Sequence, residues 1–109
     1  MNSKQLLGRS GEELAAQFLV NKGFELLARN LKFRYGEIDI LARDGQTMVV
    51  VEVKTKSSLN YGLPVEMITK TKQRKLYQLA IMAFERLKSA NLIHNMVNYR
   101  IDIVAILWP

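Results

Sequence analysis

Residues 36–56 read GEIDILARDGQTMVVVEVKTK, and this stretch decides the fold. Two runs rich in Ile and Val, Ile38–Ala42 and Met48–Val53, flank Asp44-Gly45, a strong signal for a tight primed turn. The pattern predicts a β-hairpin. With Asp44 and Gly45 as the turn residues, Leu41 faces Met48, Asp39 faces Val50 and Glu37 faces Glu52. Side chains alternate along each strand, so one face carries Ile38, Ile40 and Ala42 with Val49, Val51 and Val53, and wants a core. The other carries Glu37, Asp39 and Leu41 with Met48, Val50, Glu52 and Lys54. Asp39 and Glu52 are then diagonal neighbours, roughly 7–8 Å apart at the backbone. Two carboxylates that close repel unless solvent, a proton or a cation intervenes. The faces hold only for an even loop count, because a one-residue slip turns every side chain over.

Outward from the hairpin, the chain has 109 residues, 49% apolar and 24% charged, which predicts a single globular domain over residues 1–109 rather than disorder. There are no cysteines, so disulfides and thiolate zinc sites are excluded, and a reducing cytoplasm is the compatible location. The start, MNSKQLLGRSGEELAAQ, lacks an apolar signal core, and no run approaches membrane-spanning length, so the reading is soluble with no membrane partner. The net charge of +6 suits a polyanionic partner. The excess is uneven: residues 1–54 hold eight basic and seven acidic residues, whereas 55–109 hold eight basic and three acidic. A basic, soluble surface without any partner is the plain alternative.

Ser3 to Lys22 predicts the first helix, with Leu7, Gly11, Leu14, Ala15 and Phe18 on one face and Gly23 as its stop. Gly8 and Gly11 weaken it by roughly 1 kcal/mol each relative to Ala, which suggests close packing or a nearby ligand. Phe24–Leu31 predicts a strand. Arg29, Lys32 and Arg34 then interleave with Phe33 and Tyr35, a pattern that suits either strand packing or base stacking. Ser57–Pro64, SSLNYGLP, is the clearest loop and a candidate substrate contact. A long helix is expected from about Val65 to Ser89, with Leu76, Leu79, Ala80, Ala83, Phe84 and Leu87 as its apolar stripe. Its first half carries Lys70, Lys72, Arg74 and Lys75, which with Lys56 would extend a positive surface past the carboxylates. His94 stands alone in a polar connection, without a second His or Cys for a metal site. Tyr99–Leu107 predicts the last strand, with Asp102 pairing a basic neighbour in preference to supporting the site; Trp108-Pro109 packs against the body or a partner. The order is αβββαβ, an α/β mixed sheet flanked by helices, with a right-handed parallel crossover from the third strand to the fourth.

Two carboxylates on one face, followed two residues later by a lysine, suit a hard divalent cation, which binds oxygen and is held by one or two carboxylates plus substrate phosphates. A bound metal polarises a phosphoryl oxygen, and a nearby ammonium stabilises charge gained in the transition state. That chemistry is metal-assisted phosphodiester hydrolysis. No Gly-rich phosphate loop and no Ser/His/Asp set is present.

Gly36-Glu37-Ile38-Asp39 followed by Val51-Glu52-Val53-Lys54-Thr55-Lys56 resembles the PD-(D/E)XK, or restriction-endonuclease-like, nuclease signature. The chain more closely resembles the YraN-like family of small bacterial proteins, itself similar to archaeal Holliday junction resolvases. Gly11-Glu12 with Ala15, Gly23-Phe24, Arg29-Asn30, Gly62-Leu63-Pro64, Lys72 and Arg100-Ile101-Asp102 carry the resemblance over nearly the whole chain. It implies a restriction-endonuclease-like αβββαβ core, Asp39 and Glu52 as ligands of Mg2+ or Mn2+ with the Val53 carbonyl, and Lys54 as the catalytic lysine. It further implies an acidic residue of the first helix at the metal: Glu13 on the resolvase comparison, with Glu12 the alternative. The proline of the signature is absent, since Ile38 precedes Asp39. The resolvase likeness also implies a homodimer acting on branched or structured DNA.

Two further functions are compatible with the same residues. One is a nucleic-acid-binding module without cleavage, served equally by the net charge and by the run from Lys70 to Lys75. The other is an interaction protein in which Glu37, Asp39, Glu52 and Lys54 form only exposed cross-strand pairs, with no stabilisation by divalent metal.

Overall fold

The computed structural model describes residues 3–56, 69–92 and 95–107, with side chains described from Ser10 onward and that of Lys56 excepted. The expectations for the side chains of Leu7 and Lys56, the packing of Gly8, the 57–64 loop, residues 65–68, His94 and Trp108-Pro109 lie outside what is described. The elements are α1 (Ser3–Asn21), β1 (Glu25–Phe33), β2 (Gly36–Asp44), β3 (Thr47–Lys56), α2 (Lys70–Ser89) and β4 (Asn98–Leu107). The chain is therefore α/β, in the order αβββαβ. The four strands form one sheet ordered β1-β2-β3-β4, antiparallel except for the parallel pair β3–β4 that α2 connects. Among the described residues no helix is long and apolar enough to cross a membrane.

The central hairpin forms, but its turn is Gly45-Gln46 rather than Asp44-Gly45, and Asp44 pairs with Thr47. Gly45 has φ +61 while Gln46 stays out of the left-handed region, the pattern of a II′ turn with Gly first. Two contacts from the β4 end of the chain hold this turn: Val97 N–H donates to the Gln46 carbonyl at 2.9 Å, and Arg100 donates to Asp44 at 3.1 Å. The register moves by two residues, so the side-chain faces survive and the partners change. Leu41 now faces Val50, and Ile40 faces Val51.

Each face of the sheet carries its own core. Ile40, Ala42, Val49 and Val51 pack with Ala15, Ala16 and Leu19 of α1. Leu41, Met48 and Val50 pack with Leu79, Ala80 and Ala83 of α2, joined by Ile38. Simple alternation puts Ile38 beside Ile40 and Ala42 instead. It crosses to the α2 side where regular strand geometry is interrupted: Asn30 of β1, between the pairs Arg29–Ile40 and Leu31–Ile38, has φ +51.

Helix α1 ends as its sequence predicts. Gly23, at φ +92, takes the left-handed position; Gly23 N–H donates to Val20 and Phe24 N–H to Leu19, a Schellman motif. Its buried stripe differs from the expected one. Leu14 and Phe18 are 41% and 47% exposed, and Ala16 and Leu19 take their places. The reason is Gly11, where a Cβ would run into Thr55 Cγ2. The helix therefore approaches β3 on its small-residue side, Gly11-Ala15-Ala16, and the bulkier residues turn away. Helix α2 starts at Lys70, later than expected, because Thr69 caps it: its hydroxyl accepts the Lys72 N–H at 3.1 Å.

Candidate functional site

The β2–β3 ladder stops at Ile40–Val51, and the next residues on the two strands are Asp39 and Glu52. The expected diagonal pair is thus an adjacent one, a consequence of the two-residue register change. Beyond this point Asp39 takes over from the backbone: its Oδ2 accepts the Val53 N–H at 2.9 Å. Glu52 is only 5% exposed, the one charged side chain among the buried described residues. Lys72 Nζ lies 3.4 Å and Lys54 Nζ 3.7 Å from its Oε1. A buried carboxylate needs such partners, because desolvation of a lone charge costs several kcal/mol or more. Lys54 comes from the same strand face two residues on; Lys72 comes from the first turn of α2.

Asp39 has no cation within ion-pair distance among the described residues. Its pKa is raised from 3.8 to about 6. Burial is the largest cause; the Val53 N–H works against it, and the charges of Glu52, Glu12 and Glu37 add to it. With its amide nitrogen facing the carboxylates, Asn30 donates to Glu37 Oε1 at 3.0 Å and to Glu12 Oε2 at 3.3 Å. The left-handed Asn30 thus ties α1 to β2 around Asp39. Such a backbone is tolerated by Asn better than by most residues.

The two neighbouring glutamates of α1 separate. Glu13, expected at the site, is bound to Arg29 at 2.9 Å on the exposed side of the helix. It is Glu12 whose charge acts on Asp39. The basic run of α2 separates too: Lys70, Arg74 and Lys75 are exposed, whereas Lys72 is half-buried against Glu52. Asp102 pairs with Arg100 at 3.0 Å, as expected, on β4 and so two strands across the sheet from β2. Glu12 and Lys72 were within reach of the sequence as helix residues, but only the rotation of each helix says which residue points inward. Asn30 had a signal of its own, an Asn inside a strand run, where Asn is depleted.

Among the described residues no three carboxylate or imidazole groups converge on one point. The donor set, two adjacent carboxylates of which one favours a proton, fits a hard cation that completes its shell with water and phosphate oxygens; it does not fit an all-protein cage.

The model of the uncharacterised protein family UPF0102 matches residues 11–106, a span that includes every element of the site. A UPF0102 protein of Caldicellulosiruptor saccharolyticus is 46% identical over 104 residues, covering 95% of this chain and 84% of its own. One of Acidothermus cellulolyticus is 45% identical over 111 residues, covering 97% and 84%. A third, from Clavibacter michiganensis subsp. michiganensis, is 41% identical over 109 residues, covering 100% and 88%. With the match running from Gly11, which lets α1 reach the sheet, to Ile106 in β4, this chain belongs to the uncharacterised protein family UPF0102.

Proposed function

We propose that this protein is a metal-dependent nuclease of the PD-(D/E)XK type that hydrolyses DNA phosphodiester bonds, with branched or structured DNA as the substrate class. The observation that carries the reading is the pairing of Asp39 with a buried Glu52 that Lys54 and Lys72 both reach. Asp39, Glu52 and the Val53 carbonyl would hold Mg2+ or Mn2+. When bound, such a cation polarises a phosphoryl oxygen and makes bound water more acidic. Lys54, fixed beside Glu52, is placed to offset the charge that a phosphate gains as it is attacked. Lys72 reaches the same Glu52 oxygen from α2 and so positions it. Lys70, Arg74 and Lys75, exposed on the first turns of α2, would take the flanking phosphates. The first turn of α2 holds no acidic residue, although acids are favoured there, so helix stability does not account for the run. The same reading places the protein in the cytoplasm and makes it a homodimer.

The test is cleavage of labelled linear, single-stranded and four-way-junction DNA in Mg2+, Mn2+ or EDTA. Wild type should cut in metal only. Lys54→Ala should be slower by about 10²–10³, the usual loss for one charge-stabilising donor, and Asp39→Ala should not cut. The absence of three converging ligands among the described residues favours a second reading, a nucleic-acid-binding module on the same fold. That reading predicts no cleavage and unchanged or tighter binding by Asp39→Ala, because removing an acid reduces repulsion of phosphate.

A further inference from the structure

Between β1 and β2 the chain turns through Arg34-Tyr35, since Phe33 pairs with Gly36. The two aromatic residues of this segment part company there. Phe33 packs against the α2-side core and is covered by Arg86, whose guanidinium sits 4.0 Å from the ring centre. Tyr35 stays outside that core and is 66% exposed, with the Arg34 guanidinium near its ring. It stands as the wall between two grooves. One, of about 390 Å³, runs along α2 and is lined by Lys75, Gln78, Leu79, Ile81 and Met82. The other, of about 330 Å³, lies on its far side, with Met82, Glu85 and Arg86 among its residues. Both are at the small end of ligand-sized clefts.

The first groove lies one helical turn along α2 from the lysine that reaches Glu52. A Cβ on Gly36 would come within 3.0 Å of Lys75 Cε and 3.2 Å of Leu79 Cδ1, so the start of β2 lies directly against that part of α2. Glu37, the next residue, is one of the charges acting on Asp39. Along α2, Lys72 at Glu52 and Lys75 at the groove are one turn apart.

We infer that Tyr35 is a stacking platform for unpaired bases of a DNA strand, which leaves the carboxylate site along α2 and lays its bases into the grooves beside the tyrosine. The apolar floor of Leu79, Ile81 and Met82 suits flat rings. Arg34, whose guanidinium lies 5.4 Å from the Tyr35 ring, Lys75 and Arg86 suit the phosphates that join them. A second copy of the chain would bring the same cations against one another. A duplex keeps its base faces stacked inside and offers nothing to an exposed phenol ring. The inference rests on the DNA partner proposed above and assigns that partner's unpaired segment to this surface.

The test is binding in EDTA, without turnover, of fluorescein-labelled dT12, of a 12-base-pair duplex and of an abasic 12-mer. Tyr35→Ala should weaken dT12 by about 5- to 150-fold, the usual range for losing one base–aromatic stack. Tyr35→Phe should keep the affinity, and duplex and abasic strand should bind all three proteins alike. Tyr35 is exposed, so its replacement should leave the fold intact, checked by thermal unfolding. Equal loss on dT12 and duplex, no loss on either, or no binding of dT12 by wild type overturns the inference. Cleavage measured in parallel separates the two proposals. Tyr35-dependent binding with no metal-dependent cleavage leaves the platform standing without the nuclease, and cleavage with no Tyr35 effect does the reverse.

Discussion

Asp39→Asn should make this protein more stable at neutral pH and leave it unchanged in acid. In the folded chain the Asp39 carboxyl titrates at about 6, against 3.8 for an unhindered aspartate. The folded state therefore holds its proton more tightly than the unfolded state does. Stability is fully present below about 3.8 and is lost as pH rises through about 6, where the folded carboxyl must ionise among Glu52, Glu12 and Glu37. At about 1.36 kcal/mol per pH unit the gap sets an upper limit near 3 kcal/mol. The side chain is only half-buried, and solvent screening brings the expected cost to about 1–2 kcal/mol. Asparagine removes the charge and keeps an oxygen for the Val53 N–H. For a chain of this size each kcal/mol moves Tm by about 4–8 °C. In EDTA at pH 7.5 the variant should thus melt about 4–16 °C above wild type, and the difference should close by pH 4. Thermal and urea unfolding at four pH values between 4 and 8 provide the measurement. A difference that does not vary with pH, or a variant that is less stable at pH 7.5, would refute this account of the site. Adding Mg2+ or Mn2+ extends the test: at a hundred times its Kd a ligand stabilises by about 2.7 kcal/mol, and that gain should appear in wild type and shrink in Asp39→Asn.

Gly11→Ala should destabilise by about 1–3 kcal/mol through overpacking against Thr55 Cγ2, despite the better helix propensity of Ala. In a Thr55→Ser background, which lacks that methyl, the same change should be neutral or stabilising, as a double-mutant cycle in urea would record. Leu79→Ala, at a fully buried position between α2 and the sheet, should cost about 2–5 kcal/mol in the same assay. Asn30→Gly keeps the left-handed backbone and loses the amide that holds Glu12 and Glu37, whereas Asn30→Ala also acquires strain of about 1–2 kcal/mol. Alanine should accordingly be the less stable of the two by that amount, and equal stabilities would remove the strain from the account of this position.

The hairpin, both helices and the last strand were legible because their signals are local. A Gly at a turn, a Gly just past a helix and an apolar stripe at helical spacing each act within a few residues. The hairpin's faces were legible as well from Ile40 onward, since an error of two residues in register leaves parity intact, and Ile38 alone of the buried hairpin residues changes face. The partners were not. Whether Asp44-Gly45 or Gly45-Gln46 forms the turn depends on Arg100 and Val97, half the chain away, which hold Asp44 and Gln46. The rotation of α1 was hidden for a similar reason. Leu14 and Phe18 are more apolar than Ala15 and Ala16, but the close approach at Thr55 selects the small residues, so Glu12 rather than Glu13 comes to Asp39.

One local departure from regular structure accounts for most of the site. Leu41 packs toward α2, and strict alternation along β2 would send Asp39 to that same face. Instead the left-handed Asn30 interrupts the regular β1–β2 geometry, Ile38 goes to the α2 core, and the β2–β3 ladder ends at Ile40–Val51. Asp39 is left where the ladder has opened. Its carboxylate can take the Val53 N–H there and still lie near charges from both layers: Glu12 from α1, and Glu52, which Lys72 of α2 reaches. The fold thus brings charges from both layers to one opening in the sheet. Among the described residues Lys54 and Lys72 match Glu52 but no cation lies within ion-pair distance of Asp39, which keeps a deficit of positive charge that a proton or a divalent cation can fill.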